Sequence, residues 1–281
     1  KVKILYLCAT KSIGKSIFSF DKRIYKKKLP LISKIEKIDW SKIDALFTAL
    51  PNGEAHKIAN FLPAKVKLID LSADFRLRNP KVYKKWYGIN HKSIKYISQS
   101  IYSISEFTKK RLREYKIISC PGCYPTSVQI PLIPLIEKNL IKTDNIIIDS
   151  KSGFSGAGRN IKEKFKFKHL FDSVRAYGVG SHRHMAEIDQ ELSKVAKKNV
   201  KVSFTPHLIP MFRGILSTIY LESKNGKIQY YVENTNTKKF VPAFLIETNN
   251  KNLEISELIN GLKLVTNYLE KNILIPNNIN Q

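Results

Sequence analysis

The sequence predicts an α/β protein of two domains: a parallel-sheet domain, then an α+β domain around a largely antiparallel sheet. Three observations carry this. Short apolar segments alternate with helix-like segments between Val2 and Ser119, the pattern of a parallel sheet with crossover helices. After Cys123 the segments become β-rich, at residues 200–204, 215–222 and 228–232. Near the end Ile255, Leu258, Ile259, Leu262, Val265 and Leu269 recur at helical spacing.

Taken in order, residues 2–9 form an apolar run without a turn residue and read as a buried first strand. A loop and a short helix at 12–18 should follow. Residues 43–50 read as a second buried strand, stopped by Pro51-Asn52-Gly53, with a helix opening at 54–60. Residues 66–71 and 117–119 supply two more strands, the latter stopped by Pro121-Gly122. This first domain is therefore Rossmann-like. A helix over 124–139 starts with Pro125, a favourable first-turn position. Pro131 and Pro134 lie deeper, where each would cost up to ~3 kcal/mol unless the helix bends or breaks. A strand at 145–150, a Gly-rich loop and a helix at 184–197 come next, and a helix at about 254–271 closes the chain. The domains are thus 1–122 with 256–281, and 123–255.

With 281 residues, 43% of them hydrophobic, the chain can bury a sizeable core. No apolar run approaches ~18 residues, which argues against a membrane-spanning helix. The three cysteines form neither a disulfide framework nor a zinc pattern. A cytoplasmic setting and no metal are expected. The net charge of +26 invites a nucleic-acid reading, but the lysines are spread along the chain with no basic arm. A solvated basic surface is the expectation.

The chemistry centres on Cys120-Pro121-Gly122-Cys123-Tyr124-Pro125-Thr126, between a strand and a helix. A thiol at a helix N-terminus sits where free N–H groups and the dipole favour its thiolate, and the same groups can hold an oxyanion. That context selects Cys123; Cys8 reads as structural and Cys120 is left open. A nucleophile needs a proton partner. His56, His91, His169 and His207 stand singly, whereas His182-Arg183-His184 is followed by Glu187 at i+3 from His184. On spacing alone, a capping histidine beside a surface glutamate fits equally well. The loop from Lys151 to Arg159 holds three glycines between cations, suited to phosphate or to a plain connection. Ser72 and Arg76, in Asp70-Leu71-Ser72-Ala73-Asp74-Phe75-Arg76, follow a strand C-terminus where parallel sheets bind ligands; an Asp74–Arg76 surface pair is the alternative.

These segments share one likeness. Ala49-Leu50-Pro51-Asn52-Gly53-Glu54, residues 70–76, Trp86-Tyr87-Gly88, 121–126, 152–159, 182–188 and 205–214 resemble the N-acetyl-gamma-glutamyl-phosphate reductases in order, across residues 49–222. The resemblance implies NADPH-dependent reduction of N-acetyl-L-glutamyl 5-phosphate to the 5-semialdehyde through a cysteine thioester, a step of arginine biosynthesis. It makes Cys123 the catalytic thiol and His184 the acid/base. Arg76, Ser72, His182, Glu187 and Arg213 would bind substrate, and Arg76 would hold the departing phosphate. NADP(H) would lie on Thr10, Gly14, Ser152, Gly153, Ser155, Gly156 and Gly158. The partners implied are a small acyl phosphate and further copies of the chain, with no nucleic acid and no membrane. Two departures stand out. Cys8-Ala9-Thr10-Lys11-Ser12-Ile13-Gly14 keeps only the last of three expected glycines, and the stretch between Ser19 and Asp44 is short. They leave open a sister enzyme using a carrier-linked acyl phosphate, or a binding or scaffold protein without catalysis.

Overall fold

The structure, a computed structural model, describes residues 2–24, 28–157, 172–224, 226–234 and 242–248. Gly158, Arg159, His169 and the expected helix at 254–271 lie outside the described residues, as does the segment 256–281 assigned to the first domain.

The first domain begins with a departure from expectation. Only Leu7–Cys8 (β1) of the first apolar run is a strand, and it pairs in parallel with Ile32–Ser33 (β2) in a separate two-stranded sheet. Val2 is 87% exposed. A parallel strand is buried by crossover helices on the sheet faces. Among the described residues between Ala9 and Asp44 the only helices are short 3-10 turns, and Ile17–Ser19 replaces the helix expected at 12–18. Without cover, the run stays at the surface.

The main parallel sheet has the order β3-β4-β6-β5, from Ala45–Thr48 (β3), Lys67–Asp70 (β4), Ser100–Tyr102 (β5) and Ile117–Ser119 (β6). β3 is an edge strand rather than a buried one, and Phe47 on it is 62% exposed. Helix α1 (Glu54–Phe61) places Ala55, Ile58 and Ala59 against Leu68, Phe75 and Ile117. Its first turn is capped from afar: the Asp74 carboxylate accepts from Gly53 N at 2.7 Å and from Ala55 N at 3.0 Å. Helix α2 (Pro80–Tyr87) carries Tyr83, whose hydroxyl donates to the same carboxylate at 2.7 Å. His56 and His91 meet in this core with ring centroids 4.0 Å apart and planes tilted by 48°. A one-turn helix, α3 (Ser105–Thr108), precedes β6.

Helix α4 (Cys123–Glu137) and helix α5 (His184–Ala196) pack on one face of a six-stranded sheet. Its order is β12-β11-β10-β7-β9-β8, formed by Ile146–Gly153 (β7), Arg175–Ala176 (β8), Val202–Ile209 (β9), Ile215–Ser223 (β10), Gly226–Asn234 (β11) and Pro242–Thr248 (β12). β7 and β9 run parallel and every other neighbouring pair antiparallel. Tyr124, Val128, Leu132, Ile188 and Leu192 from the helices meet Ile148, Phe204 and Ile219 from the strands. α4 remains a single helix despite Pro131 and Pro134, both buried. Its surroundings hold it on nearly every side, and that packing outweighs the two missing backbone bonds.

Candidate functional site

The site forms where the parallel sheet hands over to α4. β6 ends at Ser119, residues 120–122 connect it to α4, and Cys123 is the first residue of that helix. Gly122 has φ −69° and ψ 161°, a backbone open to any residue, so conformation does not explain the glycine. Space does: a Cβ there would lie 2.4 Å from His184 Nε2. The His184 ring therefore lies directly over the residue preceding the thiol.

Cys123 is exposed, yet the surrounding protein pushes its thiol pKa up. Burial is the main cause, aided by the negative charge of Glu187 and opposed by the N–H groups of Tyr124 and of Cys123 itself. The helix terminus thus acts as expected but is outweighed. Burial, with the charges of Arg76 and Arg183, pushes His184 down to about 3. At neutral pH the thiol and the imidazole therefore both rest uncharged.

Beneath them lies Glu187, fully buried. Its carboxylate accepts from Arg76 Nη1 at 3.0 Å, Tyr102 Oη at 3.1 Å and Gly122 N at 2.9 Å, and lies 3.9 Å from His184 Nε2. That separation from His184 is too long for a hydrogen bond. Arg76, also buried, donates from Nε to Cys120 O at 2.8 Å and from Nη2 to Leu71 O at 3.0 Å. Its fork is turned into the protein and ties the segment after β4 to the turn before Cys123 and to α5. This geometry anchors Glu187 and the turn before Cys123, and it is not a surface pair with Asp74. Ser72 is likewise buried, its hydroxyl donating to Asp70 Oδ2 at 2.8 Å.

His182 sits among Tyr124, Tyr177, His184 and Phe204, and its Nδ1 accepts from His184 N at 3.2 Å. Burial lowers its pKa to about 4. Tyr177 bonds the Tyr124 hydroxyl at 3.0 Å. Sequence reasoning missed Tyr177, Tyr102 and Gln129, whose Nε2 donates to Tyr102 Oη at 3.1 Å. All three reach the site by contacts more than 25 residues apart in sequence, which no local spacing signals. Arg213 is exposed and lies over the Phe212 ring, at the end of β7 rather than among the residues around Glu187.

The comparisons agree with this architecture. The family model described as Semialdehyde dehydrogenase, NAD binding domain, matches residues 1–115, and that described as Semialdehyde dehydrogenase, dimerisation domain, matches residues 123–263. A curated N-acetyl-gamma-glutamyl-phosphate reductase of Afipia carboxidovorans is 41% identical over 85% of this chain and 70% of its own length. A chloroplastic protein of Arabidopsis thaliana, named a probable N-acetyl-gamma-glutamyl-phosphate reductase, is 44% identical over 80% of this chain and 56% of its own length. This chain belongs to the N-acetyl-gamma-glutamyl-phosphate reductase family. The fold resembles that of aspartate semialdehyde dehydrogenase II from Vibrio cholerae, with TM-score 0.54 at 13% identity over 96% of this chain and 90% of the other. The chain spans little more than half the length of some curated relatives that it matches.

Family membership implies a nicotinamide cofactor, whose pyrophosphate would need free backbone N–H groups. No α-helix follows β1 among the described residues up to Asp44, so the helix terminus that ordinarily receives the pyrophosphate is missing. In the turn itself Ala9 N, Gly14 N and Lys15 N donate to Ser33 O, Ile32 O and Ser12 O. The α1 N-terminus is occupied by Asp74. In the second glycine loop Gly153 N, Phe154 N and Ser155 N donate to Gly214 O, Met211 O and Phe212 O. That loop is closely packed: a Cβ on Gly153 would lie 2.7 Å from Arg213 N. Among the described residues the amides of Thr10, Lys11, Ser12 and Ile13, between the bonds from Ala9 and Gly14, make no backbone bond, so the first turn keeps N–H groups that a phosphate could meet although no helix terminus follows them.

Proposed function

We propose that this chain accepts the acyl group of an acyl phosphate onto Cys123. Family likeness points to N-acetyl-L-glutamyl 5-phosphate as that substrate. The sulfur attacks the acyl carbon, His184 takes the thiol proton, and the carbon–oxygen bond to phosphate breaks with its electron pair leaving on phosphate. The N–H groups of Cys123 and Tyr124 lie beside the sulfur and would be the donors to an oxyanion formed there. Arg76, Tyr102 and Gly122 hold Glu187 in place under the His184 ring. The observation that carries the reading is Cys123 at the first position of α4 with His184 packed over Gly122. By the same likeness the completed family reaction would be NADPH-dependent reduction to N-acetyl-L-glutamate 5-semialdehyde in arginine biosynthesis.

The test is a covalent one. Incubation with N-acetyl-L-glutamyl 5-phosphate, followed by acid quench and peptide mass spectrometry, should place the acyl mass on Cys123. Cys123→Ser should abolish the adduct with the fold intact, and Cys120→Ser should retain it. The adduct appearing on Cys120 instead would overturn the assignment.

A further inference from the structure

We infer that Arg183 holds the phosphate of the acyl phosphate while the acyl group moves to Cys123. The inference rests on the acyl-accepting role of Cys123 and follows from how the cations around His184 are used. Two charges act on that ring, those of Arg76 and Arg183. Arg76 is committed inward, paired with Glu187 at 3.0 Å and bonded to the carbonyls of Cys120 and Leu71. Arg183 is the reverse. It is exposed, its guanidinium carbon lies 5.3 Å from the centre of the Tyr87 ring, and among the described residues no carboxylate pairs with it. It is the residue before α5, between His182 and His184, whose ring centroids are 4.7 Å apart. Tyr87, the last residue of α2, is half-buried and has Glu187, Arg76 and Arg183 as charged neighbours. Arg183 is thus the outermost member of a set that begins at fully buried Glu187.

The charges around the thiol make this an anion site. Glu187 and Arg76 offset each other, and the thiol and the rings of His182 and His184 rest uncharged at neutral pH. Arg183 is then the uncompensated charge beside His184. A guanidinium resting on an aromatic face keeps the N–H groups at its edge free for two parallel bonds, the geometry that two oxygens of a phosphate match. The phosphate is also the part of the substrate on which negative charge grows. As the sulfur–carbon bond forms and His184 takes the thiol proton, the carbon–oxygen bond breaks and its electron pair leaves on phosphate. A cation on the residue next to His184 stabilises that charge where it develops.

Acylation of Cys123 is timed by quench and mass spectrometry with acetyl phosphate and with N-acetyl-L-glutamyl 5-phosphate, which have the acyl phosphate group in common. In parallel, inorganic phosphate is titrated as a protectant of Cys123 against iodoacetamide, a measurement that needs neither substrate nor cofactor. Arg183→Met should slow acylation by both substrates about 10- to 10²-fold, the loss of a charge-assisted pair, and should weaken protection by phosphate by a similar factor. Arg183→Lys, which keeps the charge without the fork, should recover part of both. Burial is the largest cause of the low His184 value, so the ring stays uncharged at neutral pH in either variant and the loss reports anion binding. A fall with N-acetyl-L-glutamyl 5-phosphate alone would put Arg183 on the acyl end and overturn the inference. Unchanged acylation in Arg183→Met, or a parent that millimolar phosphate does not protect, would overturn it as well. No adduct on the parent from either substrate would instead strike the acyl-accepting reading, and protection by phosphate that Arg183→Met loses would then still assign the anion to Arg183.

Discussion

Gly122→Ala isolates the contribution of His184 with a single methyl group. The backbone at Gly122, φ −69° and ψ 161°, accepts alanine without strain, and the unfolded chain loses freedom, which alone would stabilise by about 0.4–1 kcal/mol. The added Cβ, however, would lie 2.4 Å from Nε2, 2.7 Å from Cε1 and 2.8 Å from Cδ2 of His184. Comfortable non-bonded separations are about 3.5–4.0 Å, so the ring must withdraw by roughly 1 Å. A displacement of that size in a reacting group costs about 10²-fold in rate, and overpacking costs about 1–3 kcal/mol of stability. Acylation of Cys123, followed by quench and mass spectrometry, should slow by that factor, and urea unfolding should show a net loss. Gly122→Ala/His184→Ala should regain stability, because the clash is gone, without regaining rate. Acylation within about threefold of the parent in Gly122→Ala would show that the ring over Gly122 takes no part in the proton transfer.

Three further outcomes follow from the site and the sheet. Arg76→Met should cost about 3–5 kcal/mol by leaving buried Glu187 unpaired, and Arg76→Met/Glu187→Gln should recover most of it; an unchanged urea midpoint in the single variant would contradict the buried pairing. Acid should destabilise the fold from the histidine side: burial lowers His91 and His182 to about 4 and His184 to about 3. The unfolded chain therefore binds more protons below about 6.5, and stability falls at up to roughly 1.4 kcal/mol per pH unit for each group as pH drops toward 4. Burial raises Asp70 and works in the opposite sense above its ordinary range, so a flat urea midpoint between pH 7 and 5 would contradict the histidine effect. Finally, Ile147, Leu216 and Tyr220 are exposed on the sheet face away from α4 and α5. The dimerisation-domain match makes a second copy the expected cover, so Ile147→Asp/Leu216→Asp should shift sedimentation from dimer to monomer, and a parent that is already monomeric would refute this.

How far the sequence carried depended on the range of each contact. The thiol turn was legible because strand, Pro-Gly, cysteine and helix are consecutive, and the structure starts α4 at Cys123 itself. His184 and Glu187 were legible as a pair because one helical turn joins them, although their 3.9 Å separation is longer than a hydrogen bond. The anchoring contacts of Arg76 and Asp74 were not legible for the opposite reason. Their two-residue spacing offered a surface pair as the alternative to a phosphate-binding arginine, but each finds its partner far along the chain: Arg76 at Glu187, Asp74 at Gly53, Ala55 and Tyr83. A buried charge selects its partner from the whole fold, and desolvation makes a satisfied distant partner worth more than an exposed near one.

The first strand shows the same limit from another side. The run from Val2 to Cys8 has the composition of a buried parallel strand, but composition states only that the segment can be covered. Covering it takes a helix on each face, and the shortened stretch between Ser19 and Asp44 supplies none among the described residues. The lost glycines of the first turn and the lost crossover helix are therefore connected. Those glycines matter because a helix begins just after them and the backbone must approach a phosphate. Once the helix is gone, Gly14 serves a local bend, with φ 81° and its N–H bonded to Ile32 O. Ile35, Trp40 and Ile43 pack on the cluster that includes Ile117 of β6, but among the described residues the core that holds α4 and α5 draws on none from 9–44. The helix starts that carry Cys123 and His184 can therefore persist where the glycines of the first turn do not.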